Sequence, residues 1–374
     1  MTPVSAMTAS GPKNHRDSAS AGPATATGIP IRNIWHMLLY AWDQADRIGS
    51  WRAEVENAPS LDALLATILG TLIQQRLRIG LGRDYDTHVE EIAGIRGRLL
   101  CGDSVKRMSL PHGRAVCRYQ VFTADVPKNR IVRSTLAALV ERGQFGDLSS
   151  AVDLRSRLRS LGRQLDAVQL SPLSQHDIGR ELLNRHDRDY AIMLAICQLV
   201  QQRSMPTEST GLGHAPSIDR DALVLHKVYE RFVARFYDFH LTGWDVQAQP
   251  LWSWPTDATS AFLPSMRPDL LLQNCLTGRV IVIDTKFTPH VLSPGQWGTL
   301  RFSRDHLFQI YAYLKSQSHR SPAYATATGI LLYPTVHHDI SERVGIQGHL
   351  IRWETVNLAQ SWEEVEAALL AVPG

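Results

Sequence analysis

Two apolar runs in the last third of the chain each carry an acid where a β-strand would begin or end: Arg267-Pro268-Asp269-Leu270-Leu271-Leu272 and Val280-Ile281-Val282-Ile283-Asp284-Thr285-Lys286. An unpaired carboxylate at the edge of an apolar strand costs several kcal/mol, so something must compensate it. Strand alternation puts Asp284 and Lys286 on one face and Thr285 on the other, leaving Thr285 only its backbone carbonyl to offer a shared ion. Asp269 and Asp284 on neighbouring strands can converge on one divalent cation, and hard oxygen ligands suit Mg²⁺. A lysine beside metal-bound carboxylates suits in-line hydrolysis of a phosphodiester, orienting or helping to deprotonate the attacking water. The plainer reading is a strand-end salt bridge, since short acidic motifs arise often by chance.

The surroundings are patterned for a sheet covered by helices. Leu225, Val228, Phe232, Phe236 and Phe239 recur at spacings of three and four, which predicts a helix over about 221–239. Glu230 falls about 200 degrees round from that stripe. It faces solvent there, or becomes a third metal ligand if a second helix face covers the sheet edge. Strands are expected over 244–249, 267–273 and 279–287, then a helix over 304–315 with His306, Gln309 and Tyr313 on one face. That face is either solvated or presents Gln309 and Tyr313 to a phosphate. Strands at 328–333 and 350–355 and a helix opened by a Ser361/Glu364 capping box complete an α/β order.

Before residue 203 the rhythm changes. Helical spacing runs through Ile34, Met37, Leu38 and Trp42, and again through Leu61, Leu64, Leu65, Ile68 and Leu72. Gly-broken alternation between 77 and 122 predicts a β-hairpin or small barrel. Helices return over 129–140, across Leu154, Leu158, Leu161 and Leu165, and over 189–202. The segment 203–219, with two Pro and two Gly, is the expected boundary between an N-terminal α+β domain over 29–210 and an α/β domain over 216–374. The first 28 residues, rich in Ser, Ala, Thr, Pro and Gly, are expected to be disordered, and Met7 is an alternative start.

Composition excludes several classes. With 39 Lys+Arg against 36 Asp+Glu, the net charge of +3 gives no global attraction to nucleic acid. Local clusters must supply it, and the set Arg155, Arg157, Arg159 and Arg163 is either such a cluster or a solvated helix face. Four dispersed cysteines without a CxxC pair argue against zinc and against a disulfide framework. The apolar runs 63–73 and 191–200 are shorter than the roughly 18–20 residues of a membrane span. No membrane, no export and a reducing cytoplasm are expected. Neither GxxxxGKS/T nor GxGxxG occurs, so any nucleotide hydrolysis must come from a partner.

The ordered set IPIRNIWHMLLYAWD, EIAGIRGRLL, KNRIVRSTLAAL, RPDLLL, VIVIDTKF, HLFQIYAYL and GILLYP resembles the McrC subunit of modification-dependent restriction systems over nearly the whole chain after residue 28. The resemblance implies a C-terminal PD-(D/E)xK (restriction-endonuclease-like) nuclease fold with Asp269, Asp284 and Lys286 on its motif positions and Gln309 and Tyr313 on its QxxxY helix. It implies a partner, the AAA+ GTPase McrB, whose ring recognises methylated cytosine in double-stranded DNA and is stimulated by McrC. It further implies that an N-terminal part, here the region 77–122, inserts into that ring, and it allows two copies to pair within the complex. Arg96 and Arg98 in GIRGR are candidates for stimulating the GTPase, since a cation near a partner's γ-phosphate stabilises transition-state charge. The rival readings are a GTPase-activating scaffold that does not cut, and a nuclease of the same fold in another repair or defence complex.

Overall fold

The computed structural model describes residues 28–146, 148–171, 188–204, 217–257, 260, 262–288, 291–294, 299–336 and 339–374. All but the last residue of the expected disordered tail and most of the expected boundary segment lie outside the described residues. The first half holds helices α1 (Ile31–Ala41), α2 (Arg52–Glu56) and α3 (Leu61–Ile79), then strands β1 (Asp84–Ala93) and β2 (Arg98–Leu99). Helix α4 (Cys101–Lys106), strand β3 (Arg114–Thr123) and helices α5 (Pro127–Arg142), α6 (Leu148–Gln164) and α7 (Arg188–Ser204) follow.

The Gly-punctuated region is an open three-stranded sheet in the order β1-β3-β2, not a closed barrel. The cause is local: β1 and β3 pair over their whole length, Asp84 against Thr123 to Ala93 against Arg114. The chain between them spends its residues on α4 and a two-residue strand too short to close a barrel. Two members of the arginine set belong to the fold, Arg155 bonding Gly143 O at 2.7 Å and Arg157 reaching Gln74 Oε1 at 3.2 Å.

Helix α8 (Ser217–His240) opens the second half. Strands β4 (Trp244–Ala248), β5 (Leu270–Asn274), β6 (Val280–Thr285), β7 (Leu292–Pro294) and β8 (Leu300–Phe302) lead to helices α9 (Arg304–Gln317) and α10 (Pro322–Ala325). Strands β9 (Thr328–Thr335), β10 (Ser341–Ile346) and β11 (His349–Asn357) and helix α11 (Trp362–Ala371) end it. Six strands form one mixed sheet in the order β10-β11-β9-β6-β5-β4, with β6, β9 and β11 parallel at its centre.

Alternation divides the sheet side chains cleanly. Ile281, Ile283, Leu270, Leu272, Ile330 and Leu332 enter one buried cluster with α8, while Val280, Val282, Leu271 and Leu331 enter another with Ile310, Tyr313 and Leu314 of α9. Both faces are therefore covered, which is why β6 reads as an unbroken apolar run. Gly329 of β9 lets α9 approach, since a Cβ there would meet side-chain atoms of Ile310 and Leu314 at 2.8 Å.

The larger cluster also runs across the expected division near residue 210. Helix α1 is buried on almost every side because it lies against the second half of the chain as well as the first. Asn33 Nδ2 donates to Leu358 O and Gln360 O, both at 2.8 Å. Tyr40 lies among Phe232, Phe236 and Trp362, and its hydroxyl bonds His240 Nε2 at 2.7 Å. Among the described residues no helix is long and apolar enough to cross a membrane.

Candidate active site

The centre of the sheet ends in polar residues on one rim. Strand β6 is fully buried along its length, and Asp284 near its end is 1% exposed. Leu270 pairs with Ile283, so Asp269 and Asp284 fall opposite each other one step beyond the paired residues. Lys286, just past β6, still donates its amide to Leu332 O at 2.9 Å, which keeps the alternation intact up to its side chain. As expected, Lys286 and Asp284 share a face: Nζ lies 2.5 Å from Asp284 Oδ2. That oxygen accepts no well-aligned hydrogen bond among the described residues, so the ammonium offsets its charge without saturating its lone pairs.

From Lys286 the polar contacts continue in one direction. Nζ donates to Gln309 Oε1 at 2.7 Å, Gln309 Nε2 donates to Tyr313 Oη at 2.9 Å, and Tyr313 Oη donates to Arg267 O at 3.2 Å. Each donor meets an acceptor, so the amide has one orientation and the chain ties the end of β6 through α9 to the residues leading into β5. The face bearing His306, Gln309 and Tyr313 points inward, and Tyr313 is 8% exposed. His306 and Gln309 on that face are half-buried, and Gln309 is engaged by Lys286 and Tyr313. Helix α9 is capped by Ser303, whose hydroxyl accepts from His306 N.

Asp269 precedes the first residue of β5 and is half-buried. Its Oδ2 accepts from both the amide and the hydroxyl of Thr285, each at 2.7 Å. Thr285 thus orients Asp269, a role sequence reasoning missed because alternation placed its side chain away from the acids. Glu230 is half-buried rather than freely solvated, and Gln249 donates a hydrogen bond to it. Nothing in the sequence marked Gln249, which follows β4 with φ +47° and curls toward α8. Arg96 and Arg98 lie in the β1-β3-β2 region, both exposed, with Arg96 over the ring of Tyr119 at 4.4 Å.

Burial, and after it the charge of Asp269, pushes the Asp284 carboxyl up to about 6, against the pull of Lys286. Burial and then Asp269 also raise Glu230. Burial, then Lys286, lowers His306, whose Nδ1 lies 2.9 Å from Tyr333 Oη. Asp269 and Asp284, the latter with an unsaturated buried oxygen, form a donor pair suited to a hard cation. Among the described residues no three His, Cys, Asp or Glu side chains already converge as a metal cluster. Glu230, turned to Gln249, therefore does not complete a set with Asp269 and Asp284.

The fold and this rim define a class: a mixed α/β sheet, covered on both faces, that holds a carboxylate pair and a lysine at the end of its central strands. The chain belongs to the family of McrBC 5-methylcytosine restriction system components, whose model matches residues 12–334. It is similar to the type IV methyl-directed restriction enzyme EcoKMcrBC of Escherichia coli K12, at 28% identity over 348 residues, 92% of this chain and 97% of that protein. Among solved structures it resembles the half-complex of Thermococcus gammatolerans McrB AAA+ hexamers with bound McrC. The match has a TM-score of 0.51 and 16% identity, and covers 92% of this chain and 76% of that one.

Proposed function

We propose that this chain is the DNA-cutting subunit of a restriction complex directed at modified cytosine, and that its second half is a nuclease of the PD-(D/E)xK type. The observation that carries the reading is the continuous contact from Asp284 through Lys286 and Gln309 to Tyr313, with Asp269 held beside it by Thr285. Asp269, Asp284 and the carbonyl of Thr285 would hold Mg²⁺, which when bound polarises the phosphodiester and its attacking water. Lys286, kept in place by Asp284 and Gln309, orients that water and offsets charge that develops on the phosphate. Gln309 and Tyr313 set the position of the ammonium.

The family supports a 5-methylcytosine target, and the solved relative bound to AAA+ hexamers supports a hexameric AAA+ partner. In this reading the DNA is double-stranded, the partner hydrolyses GTP and the complex works in the cytoplasm. The 29–210 region, with β1-β3-β2, docks on that partner, and Arg96 or Arg98 stimulates its GTPase. A supercoiled methylated plasmid, incubated with this chain, the partner, GTP and Mg²⁺, tests the reading. Wild type should linearise it; Asp284→Ala should leave it intact while GTPase stimulation persists. Joint loss of cutting and stimulation would mark Asp284 as structural, and intact plasmid with the wild type would favour the scaffold.

A further inference from the structure

A groove of about 610 Å³ lies between α8 and β4. Its wall is one face of the helix, with Lys227, Glu230, Arg231, Ala234, Arg235 and Asp238 at spacings of three and four, and its floor includes Val246, Ala248, Gln249 and Asp269. The groove therefore runs directly onto one of the two rim carboxylates. Strand β4 is an edge of the sheet, so this side is open to a large ligand.

Charge along the wall is ordered. Arg235 is held by Asp238 at 3.2 Å, whereas Arg231 is exposed and has no hydrogen-bond or ion-pair partner among the described residues. Lys227 is exposed one turn before Arg231. From Lys227 to Arg235 the helix rises about 12 Å. Phosphates of one duplex strand repeat about every 3.4 Å along the axis, so Lys227 and Arg231, about 6 Å apart along the helix, match a step of roughly two phosphates. Glu230 and Asp269 interrupt the positive face beside Lys227 and Arg231, and Asp238 interrupts it beyond Arg235.

Resting on the nuclease reading, we infer that Lys227 and Arg231 form a phosphate-gripping track that lays one strand of the DNA backbone along α8 and feeds it to Asp269. These are positioning residues. The contact is blind to sequence, so it supplies affinity and register while modified-base recognition stays elsewhere.

The test is the salt dependence of binding of the full chain to a fluorescein-labelled duplex, by anisotropy, with Ca²⁺ replacing Mg²⁺. Each lost phosphate contact lowers the slope of log affinity against log salt by about 0.9. Lys227→Gln with Arg231→Gln should lower it by about 1.8, so from about 50 to about 200 mM salt the wild type loses about 12-fold more affinity than the variant. Lys227→Arg with Arg231→Lys should keep the wild-type slope, as should Arg159→Gln with Arg163→Gln on α6. An unchanged slope in the glutamine variant overturns the track, and if Asp284→Ala still abolishes cutting, the nuclease reading survives that failure. A lowered slope with cutting untouched by Asp284→Ala keeps the track and ends the nuclease reading. Impaired assembly with the partner at unaltered DNA affinity would assign the face to an acidic protein surface and overturn the track.

Discussion

Asp284→Asn separates the energetic role of the buried acid from its chemistry. The folded carboxyl titrates at about 6 and an ordinary aspartate at 3.8. Between those values the folded chain holds a proton that the unfolded chain has released, so stability falls as pH rises. The penalty is absent well below 3.8 and complete above about 6, where it amounts to about 3 kcal/mol. Between about pH 4.5 and about pH 7.5 the same pair of values gives a loss of about 2 kcal/mol. Asparagine keeps the shape and does not titrate. Urea unfolding in EDTA, followed by tryptophan fluorescence, should show wild type losing about 2 kcal/mol more than Asp284→Asn over that interval. A divalent cation at the higher pH should restore stability to wild type alone, since it binds the ionised form. Parallel pH profiles for the two proteins would refute the argument that this acid is held against its own ionisation.

Two further substitutions probe the neighbours. Thr285→Val withdraws one of the two donors on Asp269 Oδ2. A hydrogen bond to a charged group contributes about 1.5–3 kcal/mol, so plasmid cleavage should fall about 10- to 100-fold, and undiminished cutting would show that the orientation of Asp269 is immaterial. Asn33→Ala leaves Leu358 O and Gln360 O without their donor and should lower stability by about 1–3 kcal/mol in thermal melts. A change below about 0.5 kcal/mol would show that solvent replaces the amide.

Local pattern made much of this fold legible. The run from Val280 to Ile283 could be read as a strand because a sheet covered on both faces requires an unbroken apolar stretch, and β6 spans Val280–Thr285. The capping box at Ser361 and Glu364 forms as its spacing implies. Strand β10, with five of its six residues exposed, has no alternation to detect and is held in place by pairing with β11 and by Ile346 at its end. The short β7 and β8 pair likewise carries no periodic signal. At the rim, alternation placed Asp284 and Lys286 correctly because both remain in register. It misjudged Thr285, because Asp269 lies just outside the paired ladder, where register no longer governs it and it can take both donors of that residue. Gln249 was invisible because its contact with Glu230 depends on how α8 meets β4, which no local spacing encodes.

The same helix meets both ends of the molecule. Helix α8 carries Glu230 and the cationic wall beside Asp269, and over about the next turn and a half past Arg235 it presents Phe236 and His240 to Tyr40 of α1. Trp362 of α11 closes the other side of that ring, and Asn33 fastens α1 to the segment between β11 and α11. Tight packing passes displacement on because a core side chain cannot move without opening a void that its neighbours must fill. A shift of α1 therefore cannot leave α8 in place unless the aromatic contacts of Tyr40 are broken. In the proposed complex, where the 29–210 region takes hold of the partner, that route connects the docking half to the wall along which DNA would lie.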